Sequence, residues 1–268
     1  MAQVSGNKTP NPKVTIITVC YNSGQTLERT IKSVLSQTYE NIEYFVIDGL
    51  SSDNTPDILE RYKDRIDLII SEKDSGPTEA QIKGLRHSNG ELLMYLFADD
   101  WISPDYIEKA VGAYAACETD FIFGDIHFYK KGKLSYTVPG DPAYGERIKY
   151  TMPRVNYTSI VIKKDVYIQT TIDDSEFSVA PDYQFMLESY LKGVRGTYCP
   201  RLAVFNEVGG NAQQKYLQGA CEVRKIALKW GGNPVLVNHH FLKRMIGHSV
   251  LWCCDLVGLK NLVSSLRR

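Results

Sequence analysis

No run of 18 apolar residues occurs anywhere in the sequence, which excludes a conventional spanning helix. The opening dozen residues, MAQVSGNKTPNP, lack the apolar stretch of a secretory leader, so a cytoplasmic location is expected. The six cysteines (Cys20, Cys117, Cys199, Cys221, Cys253, Cys254) include no CxxC pair, and the five histidines have no metal-ligand spacing. Reduced thiols therefore outrank a disulfide framework or a zinc site. There is no net charge, with 31 basic and 31 acidic side chains in 268 residues, so a general polyanion binder is excluded and nucleic acid is not an expected partner. GxGxxG and Walker A are both missing, and Gly24 alone follows the first apolar run. A fold that brings backbone amides onto a pyrophosphate needs those glycines, so a dehydrogenase or P-loop enzyme drops in rank. What is present, 43% hydrophobic and 23% charged residues, is ordinary for a soluble globular chain.

The charge balances only in sum. From Val223 onward eight basic residues face the single acid Asp255, and the first 222 residues hold 23 basic against 30 acidic, so the two parts carry +7 and −7. Such segregation implies different partners for the two parts.

Two hydrophobic periods alternate through the first hundred residues. Val14–Cys20 reads as a buried strand, and Leu27, Ile31, Val34 and Leu35 recur at helical spacing. Strands are expected again at 42–47, 66–70 and 92–98, with helices opening at Thr55-Pro56-Asp57 and at the capping box Thr78-Glu79-Ala80-Gln81. This is βαβ punctuation and predicts an α/β fold with a largely parallel sheet flanked by helices. Ligands of such sheets bind at the carboxyl ends of the strands, which directs attention to loops 20–25, 48–55, 71–78 and 98–104. Further on, a hairpin is expected over 121–138, a strand over 159–162, a helix over 182–192 and a strand over 196–208, after which the pattern turns helical. The expected organisation is a flexible segment 1–12, a catalytic domain 13–210 and a basic amphipathic helical region 211–268.

Asp48, Asp53, Asp99 and Asp100 all fall in the strand-end loops. So many acids repel a diphosphate unless a divalent cation lies between, and magnesium takes one or two carboxylates while it binds substrate phosphates. Read from the residues alone, Asp100 is equally a helix-start acid, Asp48 a turn residue before Gly49, and Asp182 an acid that steadies the dipole of its own helix.

The set Thr18-Val19-Cys20-Tyr21-Asn22, Ser36-Gln37-Thr38-Tyr39, Asp48-Gly49-Leu50-Ser51-Ser52-Asp53, Glu72-Lys73-Asp74-Ser75-Gly76 and Ala98-Asp99-Asp100 closely resembles glycosyltransferase family 2. The likeness continues through Gly124-Asp125 and Ala180-Pro181-Asp182 and weakens after Gly209-Gly210, which covers roughly four-fifths of the chain. It implies the GT-A fold, a nucleotide-sugar donor and inversion at the anomeric carbon. Carried over by position, it puts Thr18 and Tyr21 in the base pocket and has Asp48 accept from a uracil or thymine N–H, so that the donor is a UDP-sugar. Asp74 is placed loosely at the donor, Asp99 on the ribose or donor sugar, Asp100 on Mg2+ or Mn2+, and Asp182 as the general base. Thr78-Glu79-Ala80, Ile82-Lys83-Gly84 and Asn156-Tyr157 depart from the usual pattern, which leaves the donor sugar and acceptor open. The resemblance further implies a saccharide or polyprenyl-linked acceptor and a part in bacterial surface polysaccharide assembly.

Two rivals belong to other classes. A catalytically silent binding protein of this fold predicts donor binding without turnover. A sugar nucleotidyltransferase needs a Gly-x-Gly-Thr-Arg-Leu loop where Cys20-Tyr21-Asn22-Ser23 stands. In the tail, apolar residues from Phe241 to Leu266 recur at helical spacing among Lys243, Arg244, Lys260, Arg267 and Arg268. Such a helix either rests peripherally in the anionic headgroup layer at the inner face of the plasma membrane or packs on the catalytic domain with its basic side in water.

Overall fold

A computed structural model describes residues 9–170, 172–208 and 215–256. The first strand, β1 (Val14–Cys20), is buried along its whole length, as an uninterrupted apolar run requires. Helix α1 (Leu27–Leu35) buries Leu27, Ile31 and Val34 on one stripe. Alternation continues through β2 (Ile42–Asp48), α2 (Thr55–Tyr62), β3 (Leu68–Ser71), α3 (Pro77–His87) and β4 (Leu92–Phe97). Strand β3 starts two residues later than expected, because Lys63–Arg65 forms a 3-10 turn after α2. The second half comprises β5 (Asp100–Ile102), α4 (Tyr106–Ala116), β6 (Phe121–Lys130), β7 (Lys133–Val138), α5 (Tyr144–Arg147), β8 (Val161–Lys163), α6 (Lys164–Gln169), α7 (Pro181–Leu191) and β9 (Gly196–Glu207). Helices α8 (Tyr216–Lys229) and α9 (Pro234–Leu256) follow.

The strands form one sheet in the order β3-β2-β1-β4-β8-β6-β9-β5, with β7 paired to β6. Strands β3, β2, β1 and β4 are mutually parallel, the product of the helical crossovers. Beyond β4 the sheet is mixed: β8 runs antiparallel to β4 and β6, β9 parallel to β6, and β5 antiparallel to β9. Among the described residues four of the eight strand pairings are parallel and four antiparallel, the antiparallel ones all beyond the first half. The difference arises because the second half returns through a hairpin and short strands in place of βαβ units.

The two sheet faces carry separate cores. Ile16, Val46 and Met94 pack under α1, α2 and α4. Ile17, Ile47 and Tyr95 face the other way and continue into Tyr183 and Phe185 of α7, Val223, Ile226 and Ala227 of α8, and Val237 of α9. On that side α3 lies very close to the sheet, since a Cβ on Gly84 would come within 2.6 Å of Ile17 Cγ2. The expected boundary at 210 lies outside the described residues, but packing is continuous on either side of it. Residues 9–12 of the expected flexible segment are tied down: Thr9 Oγ1 donates to Glu91, Asn41 donates to the Asn11 carbonyl and Tyr39 to that of Pro12.

Candidate active site

The carboxyl ends of β1 and β2 are stitched together by their loops. Gly49 N–H donates to Cys20 O (2.9 Å), Asn22 N–H to Ser51 Oγ (2.8 Å) and Ser52 N–H to Asn22 Oδ1 (2.9 Å). Gly24 N–H donates to Asp53 Oδ2 at 2.9 Å, and Asp53 also takes Thr55 N–H, so Asp53 fastens one loop to the first turn of α2. Asn22 and Leu50 hold φ of 48° and 62°, the left-handed region that non-glycine residues seldom occupy. Such strain persists where surrounding bonds over-determine it, as this stitching does.

Asp48 ends β2 with no exposed surface. Its carboxylate accepts from Ser51 N–H, from Ser51 Oγ and from Ser71 Oγ at 2.6 Å. The Cys20 thiol beside it is pushed far up by burial and by the negative charge of Asp48, so it stays protonated. Asp48 is thus enclosed between Ser51 of its own loop and Ser71 at the end of β3. Thr18 has no exposed surface either, and its Oγ1 accepts from Tyr44 at 3.1 Å. The structure thus puts Thr18 beneath the expected base pocket, where it lends no side-chain surface to the wall. Tyr21 differs sharply, being 64% exposed at the rim. Asp74 approaches from the third loop: its Oδ1 accepts Gly76 N–H at 3.0 Å, and a Cβ on Gly49 would lie 2.9 Å from its Oδ2. Glycine at 49 is what lets the two loops touch. Lys83, in contrast, is tied to Glu72 and Glu79 at 3.1 Å each.

Exposure separates the adjacent acids Asp99 and Asp100. Asp99 is half-buried, whereas Asp100 opens β5, pairs across to Asn206 of β9 and is 1% exposed. Burial raises the proton affinity of both carboxyls, and the neighbouring Asp99 adds to the effect on Asp100. Among the described residues neither oxygen of Asp100 makes a hydrogen bond, nor does Thr158 Oγ1 or Asn206 Oδ1, although both side chains lie close enough to favour its ionised form. Arg29 supplies positive charge: its guanidinium lies 3.6 Å over the Trp101 ring, donates to Asp99 O at 3.3 Å and pairs with Glu207 at 3.1 Å.

Asp182 lies in the first turn of α7, and its Oδ1 accepts Tyr183 N–H at 2.9 Å. It lines a small recess with Met152, Pro153, Val155, Tyr157, Tyr183 and Met186. Burial pushes its carboxyl up to about 6, and Glu222 of α8 contributes in the same direction. The turn Tyr157–Ser159 lies between the recess and the acid pair: Tyr157 lines the recess with Asp182, and the next residue, Thr158, lies near Asp100.

The sequence profile of Glycosyl transferase family 2 matches residues 15–195, from β1 to the start of β9. This chain belongs to that family. Across 245 residues it is 30% identical to an Escherichia coli protein, UDP-Glc:alpha-D-GlcNAc-diphosphoundecaprenol beta-1,3-glucosyltransferase WfaP, covering 88% of this chain and 95% of that one. It is 36% identical over 101 residues to a Bacillus subtilis protein, Putative teichuronic acid biosynthesis glycosyltransferase TuaG, covering 37% of this chain and 40% of that one. Matches to other curated relatives are partial, spanning 33% of Bacillus subtilis EpsH and 20% of Streptococcus pneumoniae GlyA. The fold is that of S. aureus TarS 1-349, solved in complex with UDP-GlcNAc (TM-score 0.65, 19% identity, 88% of this chain and 73% of that one). It is also that of the Pyrobaculum calidifontis mannosyltransferase PcManGT (TM-score 0.64, 18% identity, 96% and 81%). The GT-A architecture expected of a family 2 member is thereby established.

Within this family 2 member, reading the sequence missed Arg29, Trp101 and Glu222. Arg29 looks like a solvated position on an amphipathic helix, and only the β5–β9 pairing brings Trp101 and Glu207 beneath it. Glu222 sits on the far side of 210, where the motifs had faded.

Proposed function

We propose that the chain transfers a sugar from a UDP-linked donor to a hydroxyl of a saccharide or lipid-linked acceptor, inverting the anomeric carbon, in surface polysaccharide assembly. One observation carries the reading: the turn Tyr157–Ser159 has Thr158 near Asp100 and Tyr157 in the same recess as Asp182, so a diphosphate-side acid pair and a half-buried base flank one short segment. The printed activity of WfaP, from UDP-Glc to a diphosphoundecaprenol-linked sugar, supports the donor and acceptor classes.

The acid pair fits a divalent cation. Asp100 Oδ1 and Oδ2 are buried without partners among the described residues, hard oxygen donors whose charge calls for compensation. Asp100 would hold the cation, with Asp99 nearer solvent beside the ribose or donor sugar. When bound, the ion supplies neutralisation of the charge that develops on the departing diphosphate.

The remaining work falls to the chain itself. The exposed Tyr21 ring stacks on the base, and Asp48, braced by Ser51 and Ser71, forms the pocket floor. Asp182 takes the proton of the acceptor hydroxyl as its oxygen attacks the anomeric carbon opposite the diphosphate. A nucleoside diphosphate leaves without the acid that a glycosidase needs, so a single base is sufficient. A carboxyl with proton affinity near 6 accepts a proton well at neutral pH, typically worth ~10²–10⁴-fold in rate.

Helix α9 fits a peripheral place at an anionic membrane. Val235, Leu242 and Ile246 are exposed on one face at 76%, 57% and 64%, with exposed Lys243 nearby, while Val237 anchors the opposite face in the core. Among the described residues no helix is long and apolar enough to cross a membrane. The tail beyond Leu256, including Lys260, Arg267 and Arg268, lies outside the described residues.

The test is a panel of UDP-glucose, UDP-galactose, UDP-N-acetylglucosamine and GDP-mannose with a GlcNAc-diphospholipid acceptor, with Mg2+, Mn2+ or EDTA, read as released nucleotide. UDP release that needs acceptor and metal is expected, and it should vanish in Asp182→Asn. Transfer by Asp182→Asn at the wild-type rate removes the assigned base, and donor binding without release from any donor removes the enzymatic reading.

A further inference from the structure

Helix α7 begins without a cap of its own. Its N-cap position is Ala180, whose side chain accepts nothing, and Ala there costs about 1 kcal/mol against Ser, Asp or Asn. Asp182 itself takes the Tyr183 N–H, and the two amides just before the helix are held from another helix. Glu222 of α8, 8% exposed, takes the N–H groups of Val179 (2.8 Å) and Ala180 (2.9 Å) on Oε2. Its Oε1 accepts from Gln218 Nε2 at 2.9 Å, and Gln218 reaches Ser178 Oγ at 3.2 Å. The amides of Val179 and Ala180, just before Asp182, are thus held by a carboxylate 43 and 42 residues away in sequence.

We propose that Glu222 is a positioning residue for Asp182: it holds the two backbone amides at the entry to the helix that carries Asp182 and keeps a negative charge beside it. The inference rests on the reading of Asp182 as the base. A backbone tied at 179 and 180 fixes where the carboxyl at 182 points, and misplacement of a reacting group by about 1 Å can cost roughly 10²-fold. The charge acts separately from these hydrogen bonds. Groups facing Asp182 are Glu222 from α8, Tyr157 from the turn and Tyr183 from its own helix. Met152, Pro153, Val155 and Met186 complete the recess, and from α9 the Arg244 guanidinium brings positive charge to the adjoining Tyr183, opposite in sign to Glu222. A like charge raises proton affinity, which keeps a carboxylate basic enough to accept a proton from an alcohol.

Glu222→Gln separates the two effects, since the amide oxygen still accepts from Val179 and Ala180 but carries no charge. Carbonyl-13C aspartate labelling of the full chain, with Asp182→Asn to assign the resonance, gives the Asp182 titration without any ligand. In Glu222→Gln its midpoint should fall by about half a unit, a roughly threefold change in the ionised fraction below it. The low-pH limb of kcat, measured with UDP-glucose and the GlcNAc-diphospholipid, should move by the same amount with KM for UDP-glucose unchanged. Glu222→Ala removes the hydrogen bonds and the charge together and should lower kcat about tenfold or more. Superimposable titrations and pH profiles for wild type and Glu222→Gln overturn the proposal. The titration is read on the protein alone, so it is decided separately from the role of Asp182 in transfer, which Asp182→Asn decides.

Discussion

Replacing Asp182 with asparagine should stabilise the protein above neutrality while it abolishes transfer. Burial lifts the Asp182 carboxyl to about 6, with Glu222 helping. Relative to an unfolded value of ~3.9 the rise is about 2 units, and at ~1.4 kcal/mol per unit the ionised side chain costs the folded state up to about 3 kcal/mol. The sign follows from proton binding. Between pH ~4 and ~6 the folded protein holds a proton that the unfolded chain has released, so wild-type stability falls as pH rises through this window and is level above it. Asparagine keeps an oxygen for Tyr183 N–H and has nothing to ionise. Thermal unfolding of both proteins in metal-free buffer from pH 4 to pH 8 reads the difference. The variant should melt roughly 6–12 °C higher at pH 8, converging on wild type near pH 4. A gap independent of pH, or a variant less stable at pH 8, refutes the assignment of a half-buried carboxyl that resists ionisation.

Two further outcomes test other parts of the site. Asp48→Asn turns an acceptor of Ser51 and Ser71 hydrogen bonds into a partial donor at a fully buried position. It should cost about 1–3 kcal/mol by urea denaturation and weaken UDP binding measured by calorimetry; undiminished UDP affinity would detach Asp48 from the nucleotide pocket. On α9, Leu242→Glu with Ile246→Glu alters exposed side chains and leaves the Val237 anchor intact. Sedimentation with vesicles containing anionic lipid should fall at least tenfold, while neutral vesicles bind poorly throughout; unchanged sedimentation would eliminate the membrane role.

Much of the catalytic half was legible because its signals are local. A fully buried strand must read as an apolar run, as Val14–Cys20 does, and a crossover helix must show a stripe, as Leu27, Ile31 and Val34 do. Alternation of the two predicts parallel strands, and that places Asp48, Asp74 and Asp99 at one sheet edge. Register and depth were not legible. Asp99 and Asp100 look alike as neighbours in a loop, yet pairing of Asp100 with Asn206 draws one into the interior and leaves the other near solvent. Thr18 carries a family motif but points into the core toward Tyr44.

The amino-acid order by itself determined the elements, the edge at which ligands bind and the chemical class of the groups there, since periodicity and side-chain chemistry are properties of neighbours in the chain. Tertiary structure alone decided which carboxyl is buried, which cation lies over the neighbouring Trp101 ring and which distant glutamate holds the entry to the helix of the base. Arg29 over Trp101 and Glu222 on the amides of Val179 and Ala180 are contacts between residues tens of positions apart. Their energies depend on distance and desolvation, and neither exists until the sheet has closed.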